Sequence, residues 1–249
     1  MTATLPIPKR KRRLKRPRAD PWQVAPALWL FDIDGTLIDS GGAGLRSLRE
    51  AAAHCFGGDG PDLDLAGSTD LGVVAGIFRH FEREESPDGH SAFFAHYLER
   101  LDANLASAQF PGRALPGALE LLEHLSRQPD VTLGLLTGNT AEGAAIKMRH
   151  FGMDRFFAFG AYGSDYADRN LLGPIALARA AQYAGRPFTA AETVVIGDTP
   201  KDIACAQAMG ARCIAVATGS FTREQLLAYG ADQVIGSLEE LLSGAYSAM

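Results

Sequence analysis

Residues 28–39, LWLFDIDGTLID, constrain this chain more than any other stretch. An apolar run over 27–31 ends in two carboxylates one residue apart, Asp32 and Asp34, followed at once by Gly35 and Thr36. A short continuous apolar run closed by turn residues reads as a fully buried strand. In an open parallel sheet the reactive groups sit just beyond the carboxyl ends of the strands, which is where Asp32 and Asp34 fall. A turn at Gly35 lets one carboxylate face a ligand and the other a leaving group. Two acids so close repel, and coexist only with a cation or a shared proton; an ordinary turn needs just one of them.

The rest of the chain divides in two. Over 41–114 no strand is evident. One helical pattern puts Leu45, Leu48, Ala52 and Cys55 on a single face, a second covers 71–81 and a third 93–105. The Gly-rich stretch 40–44 and the dipeptides Pro111-Gly112 and Pro116-Gly117 bracket this region as joints. From residue 118 helices and strands alternate: helix 118–125, strand 131–136, helix 141–150, strand 156–159, helix 174–183 with Pro174 in its first turn, strand 193–196, helix 202–209, strand 213–217, helix 223–228, then a strand near Val234 and a helix over 238–242. Such alternation implies right-handed crossovers and a parallel sheet covered on both faces. The expected fold is therefore α/β, a Rossmann-like parallel sheet with a small helical cap domain over 41–114 inserted into a core formed by 23–40 and 115–249.

Charge is unevenly spread. The net value is −5, yet Lys9, Arg10, Lys11, Arg12, Arg13, Lys15, Arg16 and Arg18 crowd the first 22 residues; without them and Asp20, 16 cations face 28 acids in the body, a net −12. Residues 1–22 read as a disordered basic tail, the one segment suited to nucleic acid. No apolar segment approaches the roughly 20 residues that cross a bilayer, and no secretory signal is evident, so no membrane partner is expected and the expected setting is cytoplasmic. Cys55, Cys205 and Cys213 form neither a disulfide framework nor a zinc pattern.

Two further strand ends carry chemistry. The run LGLLTGN ends in Thr137, Gly138 and Asn139, which present a hydroxyl and backbone N–H groups suited to a phosphate oxygen, or simply to capping the next helix. VVIGDTPKD ends in Asp198, with Asp202 four residues on at the start of a helix; two such carboxylates can reach one cation, and hard oxygen ligands suit Mg²⁺. Asp202 can equally complement the positive end of that helix.

The segment FDIDGTLIDS strongly resembles the first motif of the haloacid dehalogenase superfamily, and the strand ends that follow stand in that family's order. The resemblance implies that Asp32 attacks phosphorus and that Asp34 serves as acid and then base. It also implies that Mg²⁺ is held by Asp32, the Asp34 backbone carbonyl and Asp198, with Asp202 touching the ion or supporting it, and that Thr137 supplies the hydroxyl of the second motif. The third motif departs from the pattern, because no Lys lies between Lys147 and Lys201. Arg169, five residues before Pro174, is assigned that role, with Asp165 and Asp168 available to orient it. Lys147 competes for it, and is otherwise a solvated helix face. Gly67-Ser68-Thr69-Asp70 resembles a G-x-T-D segment in the cap of phosphoglycolate phosphatase-like members; Thr69 and Asp70 either face the substrate or cap the next helix.

Because haloacid dehalogenases lack an acid at the Asp34 position, the resemblance favours phosphoryl transfer. The expected enzyme is a Mg²⁺-dependent phosphatase of the phosphoglycolate phosphatase-like kind, acting on a small phosphorylated metabolite through an aspartyl phosphate. A phosphosugar mutase is the enzymatic alternative, and a nucleic-acid-associated protein acting through the basic tail is the alternative of another class.

Overall fold

The structure, a computed structural model, describes residues 25–242, so the basic tail lies outside the described residues. Strands β1 (Leu28–Phe31), β2 (Ile38–Asp39), β3 (Arg113–Ala114), β4 (Thr132–Leu136), β5 (Gly160–Ala161), β6 (Thr193–Gly197), β7 (Arg212–Val216) and β8 (Gln233–Ile235) follow in chain order. The principal sheet is parallel, in the order β5-β4-β1-β6-β7-β8. The helices are α1 (Ala43–Phe56), α2 (Asp70–His80), α3 (Pro87–Leu105), α4 (Ala118–Ser126), α5 (Ala141–His150), α6 (Leu172–Ala184), α7 (Pro200–Met209), α8 (Arg223–Ala228) and α9 (Glu239–Leu242).

β1 is buried on both faces, as its unbroken apolar run requires. Trp29 and Phe31 point into a layer with Leu121, Leu122 and Met148, whereas Leu28 and Leu30 point into the opposite layer with Leu172, Ala176 and Val195. The chain leaves β1 for β4 on one side and later returns to β6 on the other. That reversal opens a crevice at the carboxyl ends of β1, β4 and β6, where Asp32, Thr137 and Asp198 follow the last strand residues.

α1, α2 and α3 share an apolar cluster of their own, with Leu48, Val74, Ile77, Phe78, Phe93 and Leu101 buried in it. α3 begins six residues before Phe93, because Ser86 accepts the Gly89 N–H as its N-cap and Pro87 occupies the first turn.

Two expectations need correction. The apolar stretch 156–159 is not a strand: a 3-10 turn covers Asp154–Phe156, and the strand pairing is made by Gly160 and Ala161. Gly160 sits so close to β4 that a Cβ on it would lie 2.8 Å from the Leu135 Cβ, so the approach belongs to the glycine and not to the phenylalanines before it. The span 41–114 also contains a strand at its end, β3, which pairs antiparallel with β2 through Ile38–Ala114 and Asp39–Arg113. At two residues each, these strands are too short to leave a periodic signal.

Phe93, fully buried in the cluster of the inserted helices, gives a direct test of that packing. Phe93→Ala should cost about 3–5 kcal/mol in urea unfolding; a loss below about 1 kcal/mol would mean that the three helices are not packed on one another as described.

Candidate active site

Asp32 is fixed immediately after β1, its N–H donating to the Ile196 carbonyl at 2.9 Å and its side chain buried. The next turn passes through Gly35 at φ 80°, where a Cβ would lie 2.4 Å from an Asp198 carboxylate oxygen. Only glycine lets the backbone come this near the second acid. Thr36 donates to Asp198 from the same turn at 3.3 Å.

Arg169 reaches this cluster from the loop before α6. One guanidinium nitrogen lies 3.0 Å from Asp32 and 2.5 Å from Asp202 and also donates to the Leu136 carbonyl, while the other terminal nitrogen donates to the Gly67 carbonyl at 3.2 Å. The Arg thus spans β1, β4, α7 and the inserted region. Neither of the acids expected to orient it does so: Asp165 forms a two-pronged pair with Arg179, and Asp168 accepts the Asn170 N–H. Asp202 does that work instead, accepting from the Thr199 N–H and hydroxyl with its other oxygen in a capping box that opens α7.

The acids outnumber the base. Burial raises the Asp32 pKa to about 6; Arg169 opposes the rise, and the charges of Asp202 and Asp34 add to it. Asp198 is pushed to about 8 by burial and then by Asp202 and Asp32. Burial works against the Arg169 charge, but Asp202 and Asp32 outweigh it and hold the guanidinium above its usual range.

Lys147 is not a solvated helix face. It is 4% exposed, with its ammonium 2.6 Å from Asp34 and 2.6 Å from Asn139 Oδ1. Asn139 in turn donates to Asp34 at 2.9 Å and to the Thr137 hydroxyl at 2.9 Å. The sequence held the signal, because Gly143, Ala144, Lys147 and Met148 form one buried stripe at helical spacing, and a lysine inside such a stripe needs a partner. The site therefore holds two buried cations, one on each carboxylate of the Asp32/Asp34 pair.

The inserted helices close the site from the other side. Ser68 passes so near Gly138 that a Cβ there would lie 1.9 Å from the Ser68 carbonyl oxygen, and the Asp70 N–H donates to the Gly138 carbonyl at 2.7 Å. Thr69 and Asp70 part company here. Thr69 caps α2 and donates to the Ala167 carbonyl at 2.6 Å, whereas Asp70 accepts the Thr140 N–H and lines a cavity of about 310 Å³ together with Asp32, Asp34, Lys147, Arg169 and Asp198. That volume lies at the small end for ligand sites.

One oxygen from each of Asp32, Asp198 and Asp202 falls within 4.8 Å of the others. Three buried carboxylates against one guanidinium fit a hard divalent cation such as Mg²⁺. With native pKa values raised above 3.8, the folded protein holds protons that the unfolded chain has released. Stability from this source is complete below about pH 4 and is lost as pH rises through about 6 and then about 8. Mg²⁺ competes with those protons, so calorimetry should give a larger Mg²⁺-induced rise in Tm at pH 8 than at pH 6. Equal increments, or none, would remove these acids as a cation site.

A phosphoglycolate phosphatase from Agrobacterium fabrum is 28% identical over 206 residues, 77% of this chain and 81% of its own. A 5'-nucleotidase from Pseudomonas aeruginosa is 29% identical over 202 residues, 80% and 86% of the two chains. CbbY from Rhodobacter sphaeroides, solved in complex with phosphate, matches with a TM-score of 0.69 over 87% of this chain and 96% of its own; at 22% identity that likeness shows the fold alone. Residues 29–216 match the haloacid dehalogenase-like hydrolase family, and the chain belongs to that family.

Proposed function

We propose that this protein is a Mg²⁺-dependent phosphatase that hydrolyses a small phosphomonoester through an aspartyl phosphate on Asp32. The observation that carries the reading is the buried Asp32 carboxylate, held at the mouth of the sheet crevice between Arg169 and the acids Asp198 and Asp202. Its relatives named phosphoglycolate phosphatase and 5'-nucleotidase act on phosphomonoesters by those names, which supports the same reaction class here.

The residues divide the reaction between them. Asp32 forms the new bond to phosphorus while the bond to the leaving oxygen breaks, and Asp34 delivers a proton to that oxygen. Asp34 then takes a proton from the water that attacks phosphorus, and Asp32 is released as a free carboxylate with inorganic phosphate. Arg169 and Lys147 stand beside the two carboxylates and offset the charge that builds on the phosphoryl oxygens. Asn139 and Lys147 together hold Asp34 in one orientation. Asp32, Asp198 and the Asp34 carbonyl would hold Mg²⁺, which when bound neutralises phosphoryl charge and aligns the group for in-line attack. Asp202 serves by anchoring Arg169 and the start of α7. The inserted helices act as a cap that excludes water from the cavity.

Asp32→Asn should lower Mg²⁺-dependent turnover of phenyl phosphate by at least ~10³-fold, about 4 kcal/mol of barrier, with the fold intact by circular dichroism. More than a tenth of wild-type turnover would remove Asp32 as the nucleophile.

The two cations should separate by substitution. Arg169→Ala should be crippling, because it strips the counter-charge from two buried acids, and Arg169→Lys should recover most of the activity. Lys147→Ala, which leaves the sheet acids paired, should cost on the order of 10- to 100-fold in kcat. Steady-state kinetics with near-normal Arg169→Ala and a dead Lys147→Ala would exchange the two assignments.

A further inference from the structure

Beyond its phosphoryl end the cavity has a wall of a different character. Leu45, Leu48, Leu65 and Val73 of the inserted region supply apolar surface, together with the polar side chains of Asp70, Tyr97 and Ser68, whose hydroxyl is already engaged by Asp64 and Lys201. Among the described residues lining the cavity the only cations are Lys147 and Arg169, and both sit at the phosphoryl end against carboxylates. Tyr97 comes from the middle of α3 and is 1% exposed, its ring edge-on to Phe94 at 6.4 Å. Its hydroxyl makes no hydrogen bond among the described residues. Burial first, then the charges of Asp70 and Asp34, hold the phenol well above its usual pKa, so it remains a donor and an acceptor at any working pH. Asp70 uses one oxygen on the Thr140 N–H at 2.8 Å, and its second oxygen has no hydrogen-bond partner among the described residues.

The Tyr97 phenol and the second Asp70 oxygen line one cavity, near enough for the Asp70 charge to act on the phenol, and neither is taken up by a hydrogen bond among the described residues, so both are available to a ligand. We propose that Tyr97 and Asp70 read the leaving group, and that this group is a short, uncharged alcohol bearing further hydroxyls, as in a polyol or sugar phosphate. A hydroxyl of such a group donates to Asp70 and accepts from Tyr97, while its C–H face lies on the leucines. A second carboxylate, such as that of phosphoglycolate, would instead meet Asp70 and Asp34 with no cation left to pair with it. The inference rests on the phosphatase reading above and narrows its substrate.

The test compares kcat/KM of the wild type, with Mg²⁺, for phenyl phosphate, glycerol 3-phosphate, ribose 5-phosphate and phosphoglycolate. At least one polyol phosphate should exceed phosphoglycolate by about tenfold or more, and Tyr97→Phe should lower the ratio of polyol phosphate to phenyl phosphate by about tenfold, chiefly through KM. Asp70→Asn keeps the acceptor for Thr140 but removes the charge, and should narrow the discrimination against phosphoglycolate. Preference for phosphoglycolate over both polyol phosphates overturns the proposal while the phosphatase reading stands. An unchanged ratio in a Tyr97→Phe protein with wild-type circular dichroism removes Tyr97 from recognition. Failure of the wild type to turn over any of the four substrates removes the phosphatase reading itself, and this proposal with it.

Discussion

The arrangement turns on the contact of one guanidinium with two buried carboxylates. Asp32, Asp198 and Asp202 lie close enough to share a cation, and Arg169 alone compensates them within the described residues. Breaking a buried ion pair by removing one partner leaves an uncompensated charge, typically at a cost of about 3–5 kcal/mol. The triad is therefore poorly explained as a device for stability, since an apolar replacement would serve as well or better. Its form makes sense as an electrostatic vessel: burial first, and then the neighbouring acids, raise Asp32 and Asp198 despite the one Arg, an arrangement that favours a divalent ion.

Such a vessel needs backbone as well as charge. Gly35 turns the chain beneath Asp198 at a distance no side chain permits, and Gly138 lets the Ser68 carbonyl pass over the end of β4. The two cations arrive from different elements, Arg169 from the loop before α6 and Lys147 from α5, and each meets a different carboxylate of the Asp32/Asp34 pair. The proposed nucleophile and proton donor thus sit in separate electrostatic settings although one residue divides them in sequence. Unlike surroundings for like groups are a recurrent way to assign unlike roles.

What the sequence disclosed follows from where its signal is local. β1 and β6 are continuous apolar runs ending in acids, so their ends, and Asp32, Asp34 and Asp198 with them, are legible at once. Arg169 became a candidate through the family resemblance, by order along the chain and spacing to Pro174, and it does reach Asp32 and Asp202. Lys147 was legible only as the rival of Arg169 or as a solvated helix face, because a charged residue on a helix reads as solvent-facing unless its neighbours at helical spacing are weighed, and those neighbours are buried. β5 was misplaced because apolar character pointed to 156–159 while the close approach to β4 requires Gly160. Asp70 was legible as a residue that either faces the substrate or caps a helix, but its pairing with Tyr97 was out of reach: 27 positions separate them, and the packing of α2 and α3 brings both to one cavity.

The same packing ties recognition to closure. The inserted helices meet the core partly through apolar contacts, with Ile146 and Phe151 packed on their cluster, and partly polar group to polar group: Thr69 to Ala167, Asp70 to Thr140 and Gly138, Lys201 to Ser68. Each such bond contributes about 0.5–1.5 kcal/mol net, because water replaces it when the joint opens. Under the proposed role of the inserted helices as a cap, the polar part of opening this seam costs a few kcal/mol. Asp70 belongs to both systems: one oxygen accepts the Thr140 N–H at the N-terminus of α5, and the residue lines the cavity. A leaving group that donates to the second Asp70 oxygen adds its bond to the closed arrangement alone, so the ligand that fits the wall is also the one that favours exclusion of water from Asp32. Under this coupling, specificity shows in kcat as well as in KM, since binding energy that appears only after closure is available to the reacting state.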